Sequence, residues 1–252
     1  MNEQSDTSSR SEDTPLPSPR ISMTWLRVFI EIWTGKGVTL KANLSERRKI
    51  AATGLLLYIA AHVFSLYLYS ASPDIRADNQ ALLRAAAANA PSDNPTLKNS
   101  SGLLDFTITG AIQSGVFEGF KSLLLISLLF WICFVLIGGG VSFAAAIAGT
   151  GSGLAISATG LAVSSLMQFA TGSMRFAPNV GIIVAPSDFP WLYGFLTNIG
   201  VFSAWQYVAV GMALAYVARY RPKIGLIIGV FAYSVMLGFA GGMSWLGKLL
   251  AS

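Results

Sequence analysis

The chain has 252 residues, of which 53% are hydrophobic and 12% charged, with a formal net charge of +5. That charged share is about half of what a soluble domain carries and is too small to cover a water-exposed globular surface. The cations form no stripe interleaved with aromatics, so nucleic acid is not an expected partner. With one cysteine, Cys133, and one histidine, His62, an intrachain disulfide is impossible and a metal site built from Cys and His is nearly excluded.

In chain order, residues 1–22 are rich in Ser, Asp, Glu and Pro and almost without apolar side chains, the composition of a disordered tail; no cleavable signal peptide is expected there. Residues 23–49 begin differently. Trp25, Leu26, Phe29, Ile30 and Trp33 share one helical face, and Thr24, Arg27, Glu31 and Thr34 fall opposite. This predicts a short amphipathic helix lying in the membrane interface through Trp25, Phe29 and Trp33, with packing on the protein itself as the alternative. Gly35 and Gly37 end it, and Arg47, Arg48 and Lys49 close a basic link.

Residues 50–246 read as a membrane domain of five spans, at about 50–69, 120–137, 151–170, 197–218 and 224–245, each near the ~20 residues needed to cross hydrocarbon. Residues 72–117 form a long polar loop in which Asp78 to Asn89 predicts an alanine-rich helix stopped at Pro91, and Asn99-Ser100-Ser101 matches a glycosylation acceptor. Gly138-Gly139-Gly140 mark a turn or break, followed by a short helical approach over 141–150. Residues 172–196, with Pro178, Pro186, Pro190 and Trp191, predict an irregular loop, and residues 247–252 a short tail.

The two basic clusters orient this set. Arg47, Arg48 and Lys49 precede the first span, and Arg219, Arg221 and Lys223 follow the fourth. Four spans between them put both on one side, which the positive-inside rule makes cytoplasmic; an odd count leaves the C-terminus outside. The expected architecture is an all-α polytopic bundle of five transmembrane helices.

Small residues recur every four positions at Gly149, Gly153 and Ser157, and again at Gly225 and Gly229, a spacing that lets helix backbones approach closely. Packing within the bundle and a homodimer seam both use this pattern. His62, near the middle of the first span, is a possible intramembrane polar site for proton handling or a ligand, against a neutral imidazole bonded to a neighbouring helix. No Asp, Glu, Lys or Arg is expected inside a span to form a relay with it. Gln168, Asn198 and Gln206 are uncharged candidates for bonds between helices, and Cys133 a packing residue. No Ser, His and acid fall at positions fit for nucleophilic catalysis, and the glycines match no phosphate loop; neither catalysis nor a cofactor is expected.

The order of these features is similar to the Yip1-domain family of five-span membrane proteins, particularly its bacterial branch. The resemblance rests on the Trp25–Trp33 segment ahead of a basic flank and on the link Gly138-Gly139-Gly140-Val141-Ser142-Phe143. It rests most on the stretch from Asn198 to Lys223, with Phe202, Trp205, Gly211 and a basic turn. Asn198 and Gly200 stand where the family often carries an acid. The resemblance implies a non-enzymatic membrane-organising or partner-binding adaptor, in contact with the lipid bilayer and with a membrane or cytoplasmic protein partner, in a bacterial cytoplasmic membrane or alternatively an endoplasmic reticulum or Golgi membrane. A transporter or channel for a neutral or lipidic solute, supported by the glycine-broken region and His62, and an accessory subunit of a larger complex remain alternatives.

Overall fold

A computed structural model describes residues 39–41, 44–88, 108–183 and 195–251, together with positions 30, 31, 33, 34 and 192. Its helices are α1 (Leu44–Ala71), α2 (Pro73–Ala88), α3 (Ile108–Leu136), α4 (Phe143–Thr171), α5 (Val201–Val217) and α6 (Pro222–Ala251), with single 3-10 turns at Thr39–Lys41 and Val180–Ile183. Among the described residues the pairing of extended backbone is confined to one antiparallel bridge, Asn179 with Gly200. Helices satisfy their own backbone groups, the condition for entering lipid.

Among the described residues four stretches are long and apolar enough to cross a membrane: Ser45–Ala71, Thr109–Leu136, Phe143–Thr171 and Pro222–Gly242. The chain is therefore an integral membrane protein. Helix α5 is apolar but has 17 residues.

Helix α4 is central: 67% of its apolar window is buried, against 22–39% in the other three long helices. It touches α1, α3 and α5, and α5 in turn packs along α6. Its composition explains this position. Ala and Gly dominate its first half, so its neighbours close onto its backbone, where van der Waals contact is the attraction available in lipid. A Cβ built on Gly54 of α1 would lie 1.6 Å from the Gly151 carbonyl oxygen, so these helices meet backbone to backbone. The α5–α6 contact is similar, with a Cβ on Gly211 falling 2.3 Å from the Gly225 carbonyl oxygen.

One end carries both basic clusters. Arg47 donates from Nε to the Leu40 carbonyl at 2.9 Å and from Nη1 to Ser142 Oγ at 3.0 Å, joining the start of α1 to the start of α4. Tyr220 donates to the Ile137 carbonyl at 2.9 Å, joining the α5–α6 turn to the α3–α4 turn, and the Lys41 ammonium lies 4.3 Å from the Tyr216 ring centroid. Lys41, the 47–49 cluster and the 219–223 cluster thus share what we call the basic end. The opposite end is closed by α2, where the Asp78 carboxylate accepts from Ser173 Oγ at 3.0 Å and from the Met174 amide at 2.8 Å.

Both turns at the basic end are left-handed caps. In α3 the Gly138 amide donates to the Val135 carbonyl and the Gly139 amide to the Phe134 carbonyl, with Gly138 at φ +76°. In α5 the same pattern runs from Arg219 to Tyr216 and from Tyr220 to Ala215, with Arg219 at φ +61° where glycine is usual.

The expected boundaries change in two places. The stretch 141–150, expected as a short helical approach to a span at 151–170, joins that span from Phe143 onward in one unbroken helix, α4, which Ser142 caps by accepting from the Ala145 amide. The polar loop 72–117 is shorter, since α2 starts at Pro73 and α3 already at Ile108. Trp33 is half-buried against Phe202, Trp205 and the Ile50–Ile156–Ala209 cluster. Trp25, Phe29, Trp191 and the Asn99 acceptor lie outside the described residues.

Candidate functional site

The half of the molecule nearest the basic end is a filled core. Ile126, Phe130 and Phe134 of α3 meet Ala145 and Ala148 of α4, Val210 and Leu214 of α5, and Ile228 and Ala232 of α6. Toward the other end α3 and α6 separate, and a cavity of about 600 Å³ opens between them. Tyr207 forms its floor, with its ring 6.2 Å from Phe130 and 5.4 Å from Tyr233. The Tyr233 hydroxyl donates to the Asn198 carbonyl at 3.1 Å, holding α6 to the entry of α5.

The walls are of two kinds. Leu125, Met236, Leu237 and Phe239 are apolar, while Tyr58, Ser122, Ser157, Ser203 and Gln206 present hydroxyls and an amide. A second hollow of about 210 Å³ shares Tyr58, Ser157 and Ser203 with it and extends toward Asn179 and Gly200.

Glu118 and Lys121 also line the cavity, paired at 2.5 Å with both side chains partly exposed. They lie inside the apolar helix α3, and Lys121 falls within the expected second span, so the expectation of spans without charge is corrected. Their i, i+3 spacing is the signal sequence reading passed over: one turn of helix lets each neutralise the other, which reduces the penalty of carrying either into an apolar stretch.

Gln206 is the most constrained polar group of the site. It is 4% exposed, its Oε1 accepts from Ser157 Oγ, and among the described residues its Nε2 has no partner. Turning the amide over exchanges the spare end but still leaves one end unmet. An unpaired buried amide costs about 1–3 kcal/mol. The position is held by close packing: a Cβ on Gly153 would lie 2.6 Å from Val210 Cγ2 and 3.1 Å from Gln206 Cγ.

The other sequence-derived candidates have distinct surroundings. Gly149 packs on Leu214, and Gly225 and Gly229 face the α5 backbone near Met212 and Val208. These glycines serve contacts within the chain, and Ser157 faces the cavity as well. His62 lies outside the lining; its Nδ1 is 3.0 Å from the Tyr58 carbonyl one turn earlier, its ring is 4.6 Å from that of Tyr58, and Gly115 of α3 packs on it. Since a carbonyl can only accept, Nδ1 carries a proton, and the partner of the imidazole is its own helix instead of a neighbour. Gln168 joins a separate network between α1 and α4: Tyr69 donates to its Oε1 at 2.5 Å, its Nε2 donates to the Met174 carbonyl at 2.7 Å, and Ser165 donates to Ser65 at 2.6 Å. Cys133 is buried and unbonded. Among the described residues no cluster of three His, Cys, Asp or Glu is placed to hold a metal ion.

Fold and site together define a polytopic α-helical membrane protein with a cavity of mixed polar and apolar lining between two of its long helices. No family model, no curated protein and no solved structure matches the chain.

Proposed function

We propose that this is a non-enzymatic membrane protein with five crossings that holds a neutral or lipidic solute in the cavity between α3 and α6. The observation that carries this reading is the buried Gln206 amide, one end of which has no partner among the described residues, at the wall of a space of about 600 Å³ whose remaining lining combines apolar side chains, hydroxyls and the paired Glu118 and Lys121. An amphiphile with a hydrogen-bonding head would satisfy that group and fill the apolar wall. Five crossings are supported by the alternation of helix ends: α1, α4 and α6 start at the basic end, and α3 and α5 finish there. At about 1.5 Å per residue α5 is about 26 Å long, close to the ~30 Å of hydrocarbon. The positive-inside rule then makes the basic end cytoplasmic, and the resemblance favours a bacterial cytoplasmic membrane.

The test is purification of the full chain from native membranes in a mild detergent, with mass spectrometry of what stays bound. The wild type is expected to retain one lipid or apolar small molecule. Gln206→Leu, which removes the amide, and Leu125→Trp, which fills the space, are each expected to lose it. A wild type that carries nothing, or variants that keep the molecule, would sink the reading.

A partner-binding adaptor of Yip1 type is the second reading. It is favoured by Arg48, Arg219, Arg221 and Lys223 standing together at one end with no ion pair among the described residues. A stoichiometric protein in the same purification would support it.

A further inference from the structure

A third hollow lies at the basic end, away from the cavity. It has a volume of about 340 Å³ and is lined by Arg47, Arg48, Ala51, Phe143, Ala144 and Ile147, where the first turns of α1 and α4 run side by side. Its polarity is layered. Arg47 is level with Ser142, to which it is bonded at 3.0 Å, whereas Ala51 and Ile147 lie one helical turn further into the apolar part of the same helices. Arg47 is held in place by its bonds to Ser142 and to the Leu40 carbonyl at 2.9 Å. Arg48 is exposed and has no bonded partner among the described residues. Glu46, in the same first turn of α1, is paired with Lys49 at 2.9 Å.

We infer that this cleft seats one anionic phospholipid of the adjoining leaflet. The headgroup phosphate meets the guanidinium groups of Arg47 and Arg48, and the first part of an acyl chain lies against Ala51, Ala144 and Ile147. Two features select this occupant. A guanidinium presents a planar fork of donors that matches phosphate oxygens, and one that is pre-set by other bonds loses little freedom on binding. The sequence of charge above and apolar wall below follows the gradient of a lipid from headgroup to chain, and basic pockets between helices at the cytoplasmic side suit anionic headgroups. A soluble anion would use only the upper half of the cleft. This site is independent of the α3–α6 cavity, and either can be absent without the other.

The experiment uses the full chain in mild detergent, titrated with phosphatidylglycerol or phosphatidylcholine while bound lipids are counted by native mass spectrometry. The wild type is expected to bind one phosphatidylglycerol in preference to phosphatidylcholine. Arg48→Gln, at an exposed position, is expected to weaken that preference about fivefold, the worth of one basic side chain at an anionic surface. Ala144→Phe, which fills the cleft and keeps both charges, is expected to weaken it comparably. Arg221→Gln removes a charge from the same end outside the cleft and is expected to change nothing. Equal losses in Arg48→Gln and Arg221→Gln would reveal a diffuse surface field and overturn the site. An unaffected Ala144→Phe, or displacement of the lipid by inorganic phosphate alone, would overturn the acyl-chain seat.

Discussion

At the scale of the residue, the glycines of this chain are not equivalent. Gly54 has no room for a side chain, since its Cβ would overlap the Gly151 carbonyl; Gly238 meets nothing within 4 Å. Gly54→Val is expected to push α1 from α4 and destabilise the protein by about 3 kcal/mol, the upper part of the usual overpacking range. Gly238→Ala is expected to be neutral or to stabilise by up to about 1 kcal/mol through helix propensity. Unfolding of both variants in mixed detergent micelles checks the contrast, and similar midpoints would contradict the backbone contact. Spacing at four-residue intervals marked Gly149 and Gly153 but passed over Gly54, which has no small partner at that interval in its own helix. Its need arises from Gly151 on another helix, which no local pattern records. The Glu118–Lys121 pair was legible in principle, because two opposite charges one turn apart at the edge of an apolar run announce a partly neutralised pair.

At the scale of the element, α1 and α4 are joined in two ways along their length. Near the basic end the contact is glycine on backbone. Toward the other end it is polar, through Tyr69, Ser65, Ser165 and Gln168. In lipid such bonds contribute modestly, because the separated helices find other partners. A double-mutant cycle with Tyr69→Phe and Gln168→Leu is expected to give a coupling of about 1 kcal/mol and no more than about 1.7 kcal/mol, read from denaturation in detergent. A coupling near zero would mean that the bond does not form. The identity of α4 as one unbroken helix could not be read along the chain: glycine at 138–140 and glycine at 149–153 look alike in composition. Gly138 ends α3 because the chain turns into the left-handed region there, whereas Gly149 and Gly153 are kept helical by neighbours that close onto them.

At the scale of the molecule, five helices running between a basic end and an end closed by α2 make a definite prediction about sides. In a Cys133→Ala background, single cysteines at Ser142 and Arg221 are expected to react together from the cytoplasmic side, and one at Ser173 from the opposite side only. Labelling with a membrane-impermeant maleimide in intact cells and in inverted vesicles checks this. Reaction of Ser142→Cys and Arg221→Cys from different sides would exclude the five-crossing arrangement. The pairing of Arg47 with Ser142 and of Tyr220 with Ile137 is the reason the basic-end positions are expected to move together.

The sequence by itself determined that the chain enters lipid, roughly where its long apolar helices run and where the chain must break after α3. These follow from composition and local conformational preference, which act over a few residues. Tertiary structure alone decided that α4 is the centre, that α3 and α6 separate in one half, and that Glu118, Lys121, Ser157 and Gln206 face one cavity. Periodicity sets which residues share a face of a helix. Which neighbour meets that face, and how closely, depends on the crossing of helices that are far apart in the chain.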